Sequence, residues 1–216
     1  SLADALGQLA EPAREPVDGP LSVPVQYVTR TDARDTTGDL RRSIWGRIAG
    51  GRVRAGDAVQ VFPSGERAHV AELRVAGDTV ERAVAGQSVG VVLDRQLDVS
   101  RGDWIATPDT LHASQRFAAT LAWLDTEPAV IGRKYQLRHG NRWVQARISA
   151  IESRLDIRTL APTEARELAV NEIGRVVIET QQALPIAPYA ANRVAGALIV
   201  VDPASHRTSG ALLVGG

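Results

Sequence analysis

The 216-residue chain contains no cysteine and no methionine, and Lys134 is its only lysine. Without cysteine there is no disulfide framework, no thiolate nucleophile and no Cys-based metal site. Without methionine, even at position 1, Ser1 does not read as a natural start. The chain is expected to be a piece of a longer protein. The single lysine excludes a phosphate-binding G-x-x-x-x-G-K-[ST] loop, because Lys134 follows Gly132-Arg133 and precedes a tyrosine. No apolar run approaches the ~20 residues of a membrane span, and no basic-then-apolar leader opens the chain. The cytoplasm is therefore the expected compartment. Excess charge of either sign is also missing: Lys+Arg and Asp+Glu are 25 each, which argues against a nucleic-acid protein while leaving room for local basic groups.

What is present is mostly β pattern. The opening "SLADALGQLAEP" is the exception. Leu2, Leu6 and Leu9 make one stripe of a short helix, capped by Ser1 and stopped by Pro12. So short a helix is marginal alone and reads as the end of an upstream domain. Residues 11–22, "EPAREPVDGPLS", read as an extended linker. Strand signals follow at "VPVQYVTR" (23–30), "SIWGRIAGG" (43–51) and "QSVGVVLD" (87–94), with two more around the turn Pro63-Ser64-Gly65. Residues 31–39 read as a polar loop. Pro108-Asp109 marks a boundary, after which Phe117, Ala119, Leu121 and Trp123 share one strand face and His139-Gly140-Asn141 turns a hairpin. "PTEARELAV" (162–170) holds a possible helical turn. The expectation is all-β: two consecutive small β-barrels, 23–109 and 110–216, preceded by residues 1–22 as a domain end plus linker.

Glycines at 46, 50, 51 and 56 invite a phosphate-cradle reading. A cradle leads into a helix N-terminus, but Gly56 leads into Asp57-Ala-Val-Gln-Val, a strand. Gly50, Gly51 and Gly56 are instead expected to take positive φ at turns and bulges, and Gly46 and Gly102, with Asp57, to shape turns as well. His69, His112, His139 and His206 have no metal-ligand spacing and read as surface or turn histidines. No G-x-S-x-G elbow supports a hydrolase. Asp94, Asp98 and Asp103 fit turn capping better than a cation site. No catalytic, cofactor-binding or metal-binding residue is expected in the chain.

Arg41, Arg42 and Trp45, then Arg142 and Trp143, set arginine beside tryptophan. Such groups bind RNA, anchor protein interfaces or lie on solvated strand faces. Zero net charge favours the last, and a partner interface is the intermediate reading.

"GRIAGGRVRAGDAVQVFPSGERAHVAEL" and "AVAGQSVGVVLDRQLDVSRGDWIA" resemble domain two of GTPases of the elongation factor Tu type, most closely the large, GTP-binding subunit of bacterial sulfate adenylyltransferase. "LDVSRGDWI" (97–105), "NEIGR" (171–175) and "NRVAGALIVVD" (192–202) carry that likeness, which covers about residues 20–214. The resemblance implies a two-barrel portion lacking the GTP-binding domain. GTP and Mg²⁺ would bind upstream. A separate small subunit would make adenylyl sulfate from ATP and sulfate, and the barrels would relay the GTPase state to it. The implied partners are the missing GTPase domain and that catalytic subunit, with no membrane and no nucleic acid. The alternatives are tRNA-binding barrels of a specialised translation factor, or a free-standing adaptor.

Overall fold

The computed structural model describes residues 17–34 and 40–215, with the side chains of 31–34 and 40 left out. The expected helix at 2–9 and most of the expected linker lie outside the described residues. Within them the chain is all strand and turn.

The first half forms β1 (Ser22–Arg34), β2 (Leu40–Arg47), β3 (Arg52–Arg54), β4 (Ala58–Phe62), β5 (Arg67–Val75), β6 (Asp78–Val80), β7 (Arg82–Val84), β8 (Ser88–Leu93) and β9 (Trp104–Ala106). The order β4-β9-β1-β2-β8-β5 returns on itself through β4–β5 pairing, so six strands make a ring. Strands β3 and β7 form a separate two-stranded sheet. Alternation drives the burial: Val59 and Val61 on β4, Val70 and Leu73 on β5, and Val89, Val91 and Leu93 on β8 share one core with Val23, Ile44 and Ile48.

The second half forms β10 (His112–Trp123), β11 (Ala129–Val130), β12 (Lys134–His139), β13 (Arg142–Leu155), β14 (Pro162–Thr163), β15 (Glu167–Leu168), β16 (Ile173–Ile186), β17 (Ala197–Val201) and β18 (Thr208–Val214). The order β12-β17-β18-β10-β16-β13 closes through β12–β13 into a six-stranded barrel. Its core holds Phe117, Ala119, Leu121 and Trp123, the face expected from alternation, with Leu137, Ile148, Ile178, Leu198 and Leu212. Closure removes exposed strand edges from each ring.

Four expectations need correction. The polar stretch after Arg30 is not a loop from its start, because β1 keeps its ladder with β2 to Arg34; backbone pairing does not require apolar side chains. Residues 35–39 lie outside the described residues. The possible helical turn at 162–170 is absent, because Leu168 is drawn into the barrel core and Glu167–Leu168 pairs with β11. Gly46 is not a turn glycine. It sits inside β2 opposite Val25, and a Cβ there would lie 2.4 Å from the Pro24 carbonyl oxygen. Its neighbour Gly50 likewise bridges to Ser22 and is not among the glycines of positive φ.

Candidate functional site at the junction of the barrels

One turn recurs four times. In Arg54–Asp57, Val84–Gln87, Ser100–Asp103 and Ala169–Glu172 the fourth residue's N–H donates to the first residue's carbonyl, at 3.1–3.2 Å. The third residue, Gly56, Gly86, Gly102 or Asn171, has φ between 65° and 94°, the requirement of a type II turn. The fourth side chain then reaches back and accepts from the first residue's N–H, at 2.8 Å in every copy. Asp57 and Asp103 therefore cap turns, and Gly51, Gly56 and Gly102 hold positive φ.

At Ser100–Asp103 the same turn does more. It delivers Asp103 and Trp104 to the junction of the two barrels. Asp103 Oδ2 caps the turn, while Oδ1 accepts from the Arg142 guanidinium at 2.6 Å. Both side chains are largely buried, 19% and 9% exposed for Arg142 and Asp103. Burial holds the Asp103 carboxyl above the usual carboxylate value, against the Ser100 N–H and the Arg142 charge, which pull it down. The barrels approach so closely here that a Cβ on Gly102 would lie 3.0 Å from the Arg142 Cβ.

Next to this pair, Trp104 stacks on His139, ring centroids 5.1 Å apart. His139 is fully buried, and its Nε2 lies 3.0 Å from the Ala195 carbonyl, which can only accept. The neutral tautomer with the proton on Nε2 follows. Burial, with a smaller push from Arg142, lowers its pKa to about 4. The expectation of a surface or turn histidine is thus overturned for His139. His69, His112 and His206 are exposed.

The junction has its own small core of Phe62, Trp104, Ala106, Leu111, Ala187 and Ala195. Three alanines make it thin, so polar contacts supply much of the hold. Asn141 Nδ2 donates to the Val25 carbonyl at 3.2 Å, and Asn192 Nδ2 donates to Ser22 Oγ at 2.8 Å. Asn192 Oδ1 meanwhile accepts from the N–H groups of Val194 and Ala195, fixing its own loop.

The residues expected at a partner interface do not form one patch. Arg142 is committed to Asp103 inside the molecule, so it is not free for a partner. Trp143, its neighbour on β13, points the other way and is 52% exposed, with the Arg138 guanidinium 5.7 Å over its ring. Trp45 stacks on Tyr27, centroids 5.9 Å apart, and donates to Thr29 Oγ1 at 3.1 Å. Arg42 is exposed and Arg41 half-buried on β2. His139, Asn141, Asn192 and Ser22 were missed from sequence. The row Tyr135, Leu137, His139 on β12, alternate and buried, was the available signal for the first.

Among the described residues no three His, Asp or Glu side chains gather as a metal site, and no helix is long and apolar enough to cross a membrane. The junction holds a neutral buried histidine and a largely buried ion pair. It is built to clamp.

Residues 116–214 match the family model described as GTP-eEF1A C-terminal domain-like. The bifunctional enzyme CysN/CysC of Xylella fastidiosa is 37% identical over 93% of this chain and 32% of that protein. Sulfate adenylyltransferase subunit 1 of Tolumonas auensis is 32% identical over 95% of this chain and 42% of that protein. This chain is a homologue of part of sulfate adenylyltransferase subunit 1. It spans about a third to two fifths of these relatives. The structure of sup35 complexed with GDP superposes over all of this chain and 52% of its own, with a TM-score of 0.79 at 17% identity. That likeness shows the fold alone, the paired rings of strands. The motifs singled out above acquire physical content in the structure. "LDVSRGDWI" builds the turn that carries Asp103 and Trp104. "NEIGR" builds the fourth copy of that turn, with Glu172 also bound to Arg154 at 2.8 Å. "NRVAGALIVVD" begins with the Asn192 that ties the barrels together.

Proposed function

We propose that this chain is the two-barrel portion of the GTP-hydrolysing subunit of a cytoplasmic sulfate adenylyltransferase. It carries the state of a GTP-binding domain to the separate subunit that makes adenylyl sulfate from ATP and sulfate. In this reading residues 1–22 end the upstream domain and supply the linker, 23–109 are the first barrel and 110–216 the second. GTP and Mg²⁺ bind outside these residues, and the chain itself performs no chemical step.

The observation that carries the reading is the 32–37% identity to subunit 1 and CysN/CysC proteins over nine tenths of the chain. The junction supports it: a relay works when its parts move as one body, and the buried contacts between the barrels favour joint motion. The exposed Arg42 and Trp143 and the half-buried Trp45 are the side chains this reading offers to the partner.

Retention of a purified sulfate adenylyltransferase catalytic subunit on the immobilised chain tests the reading. Retention that survives moderate salt is the expected result. No retention, together with tRNA binding whose affinity falls steeply with salt, would overturn it in favour of translation-factor barrels.

A further inference from the structure

The small β3/β7 sheet presents an outer face whose arginines bond to no carboxylate among the described residues. Alternation puts Val53 and Ala83 inward, and leaves Arg52, Arg54, Arg82 and the half-buried Val84 outward. Arg54 pairs directly with Arg82 across the two strands, and Arg52 with Val84. Like charges directly opposite each other destabilise a strand pair. Several other arginines of this chain meet carboxylates: Arg74 meets Glu72, Arg133 meets Glu127, Arg147 meets Glu179 and Arg154 meets Glu172. Arg52, Arg54 and Arg82 make no side-chain hydrogen bond or ion pair with any described residue. Glu81 lines the adjoining hollow with Arg54 and Arg82, yet it bonds to neither. The three guanidinium groups flank a concavity of about 360 Å³ whose other walls are Val17, Val84 and Gln87. Gln87 is held in place, its side-chain oxygen accepting from the Val84 N–H at 2.8 Å.

We propose that this face docks an acidic protein segment, an extended stretch setting two carboxylates and one apolar side chain against Arg52, Arg54, Arg82 and Val84. The spacing fits. Same-face residues on one strand lie about 7 Å apart, the repeat of alternate side chains in an extended peptide. Each guanidinium offers a fork that matches a carboxylate, and arginine is enriched at protein interfaces where lysine is depleted. Val17 and Val84 give the concavity an apolar wall that a phosphate backbone does not use. The chain's zero net charge also turns the choice from nucleic acid to protein. A surface that keeps two arginines face to face at a cost to its own stability is typical of one selected for binding. The proposal stands apart from the sulfate adenylyltransferase reading and does not need it.

The test uses this chain and a blocked peptide, Glu-Thr-Glu-Thr-Val, in a fluorescence-anisotropy titration at low salt, with single-stranded RNA as a second probe. The wild type is expected to bind the peptide, and R52Q/R54Q/R82Q to bind at least ten-fold more weakly. R158Q, an exposed arginine outside the face, is expected to bind like wild type. R82Q alone is expected to raise the melting temperature, because it relieves the facing charges while keeping the fold. Absence of peptide binding by wild type, equal weakening in R158Q, or tighter binding of the RNA that R52Q/R54Q/R82Q removes, would each overturn the proposal.

Discussion

Trp104 and His139 lie face to face across the junction of the barrels, their planes 15° apart. Each belongs to a different barrel, and each is fully buried. The indole covers one face of the imidazole, and the Ala195 carbonyl accepts a hydrogen bond from Nε2–H. Burial keeps the ring neutral, against the Ala195 acceptor, which favours the charged form. Arg142 contributes positive charge nearby, while Asp103 is engaged with Arg142.

Acid should therefore loosen the molecule through His139. Its folded pKa of about 4 lies below the unfolded value of 6.5. The unfolded chain takes up a proton between those values and the folded chain does not. Stability attributable to this residue is intact above pH 6.5 and falls as the pH drops toward 4, by about 3 kcal/mol in all. Urea unfolding of wild type and H139Q at pH 7 and pH 4.5 checks this. Glutamine can keep a donor for Ala195 and has no titration, so H139Q should lose less stability on acidification than wild type. Equal losses would remove His139 from the account.

The Asp103–Arg142 pair makes the opposite prediction. Arg142→Gln leaves a largely buried carboxylate without its counter-charge, a loss of about 3 kcal/mol at pH 7. The Asp103 carboxyl, already raised by burial, should rise further. An acid whose folded pKa is raised contributes its stability below the unfolded value and loses it as pH climbs through the folded one. The gap between R142Q and wild type should therefore narrow toward pH 4. A carboxyl NMR titration of both proteins reads the shift directly, and an Asp103 value unmoved by R142Q would show that the pair is not coupled.

The four-fold turn predicts a contrast between two small changes. Asp57→Ala removes the side-chain acceptor of the Arg54 N–H and should cost about 1 kcal/mol. Asp57→Asn keeps an acceptor oxygen of the same reach and should cost a few tenths. Urea midpoints of the two variants separate them. Equal costs would mean that the Arg54 N–H bond is not what Asp57 supplies.

Much of the fold was legible because it is local. Phe117, Ala119, Leu121 and Trp123 alternate, so they share a face, and a Gly-Asp pair before an apolar run makes a turn at Gly56-Asp57 and at Gly102-Asp103. The junction was not legible, because its pairs are remote in the chain: Asp103 from Arg142 by 39 residues, Ser22 from Asn192 by 170. Nothing local marks Arg142 as internal while Trp143 faces out, except the strand alternation itself. His139 was misread because polarity was given more weight than its place in the row after Tyr135 and Leu137.

Gly46 shows the same limit from the side of backbone geometry. Its requirement comes from β1, where Pro24 and Val23 pass so close that an added Cβ would lie 2.4 Å from the Pro24 oxygen and 2.7 Å from the Val23 Cγ1. One of these contacts is backbone, which yields little. Gly46→Ala should therefore force β1 and β2 apart and cost about 3 kcal/mol. Gly132 offers the comparison: its φ is +86°, and no atom lies within 4 Å of an added Cβ. Gly132→Ala meets only the backbone penalty of that φ, about 1–2 kcal/mol. Urea unfolding of both variants should rank Gly46→Ala as the more damaging. The reverse order would mean that the first ring has room to yield at β1, and that Gly46 is not the residue that sets the approach of the two strands.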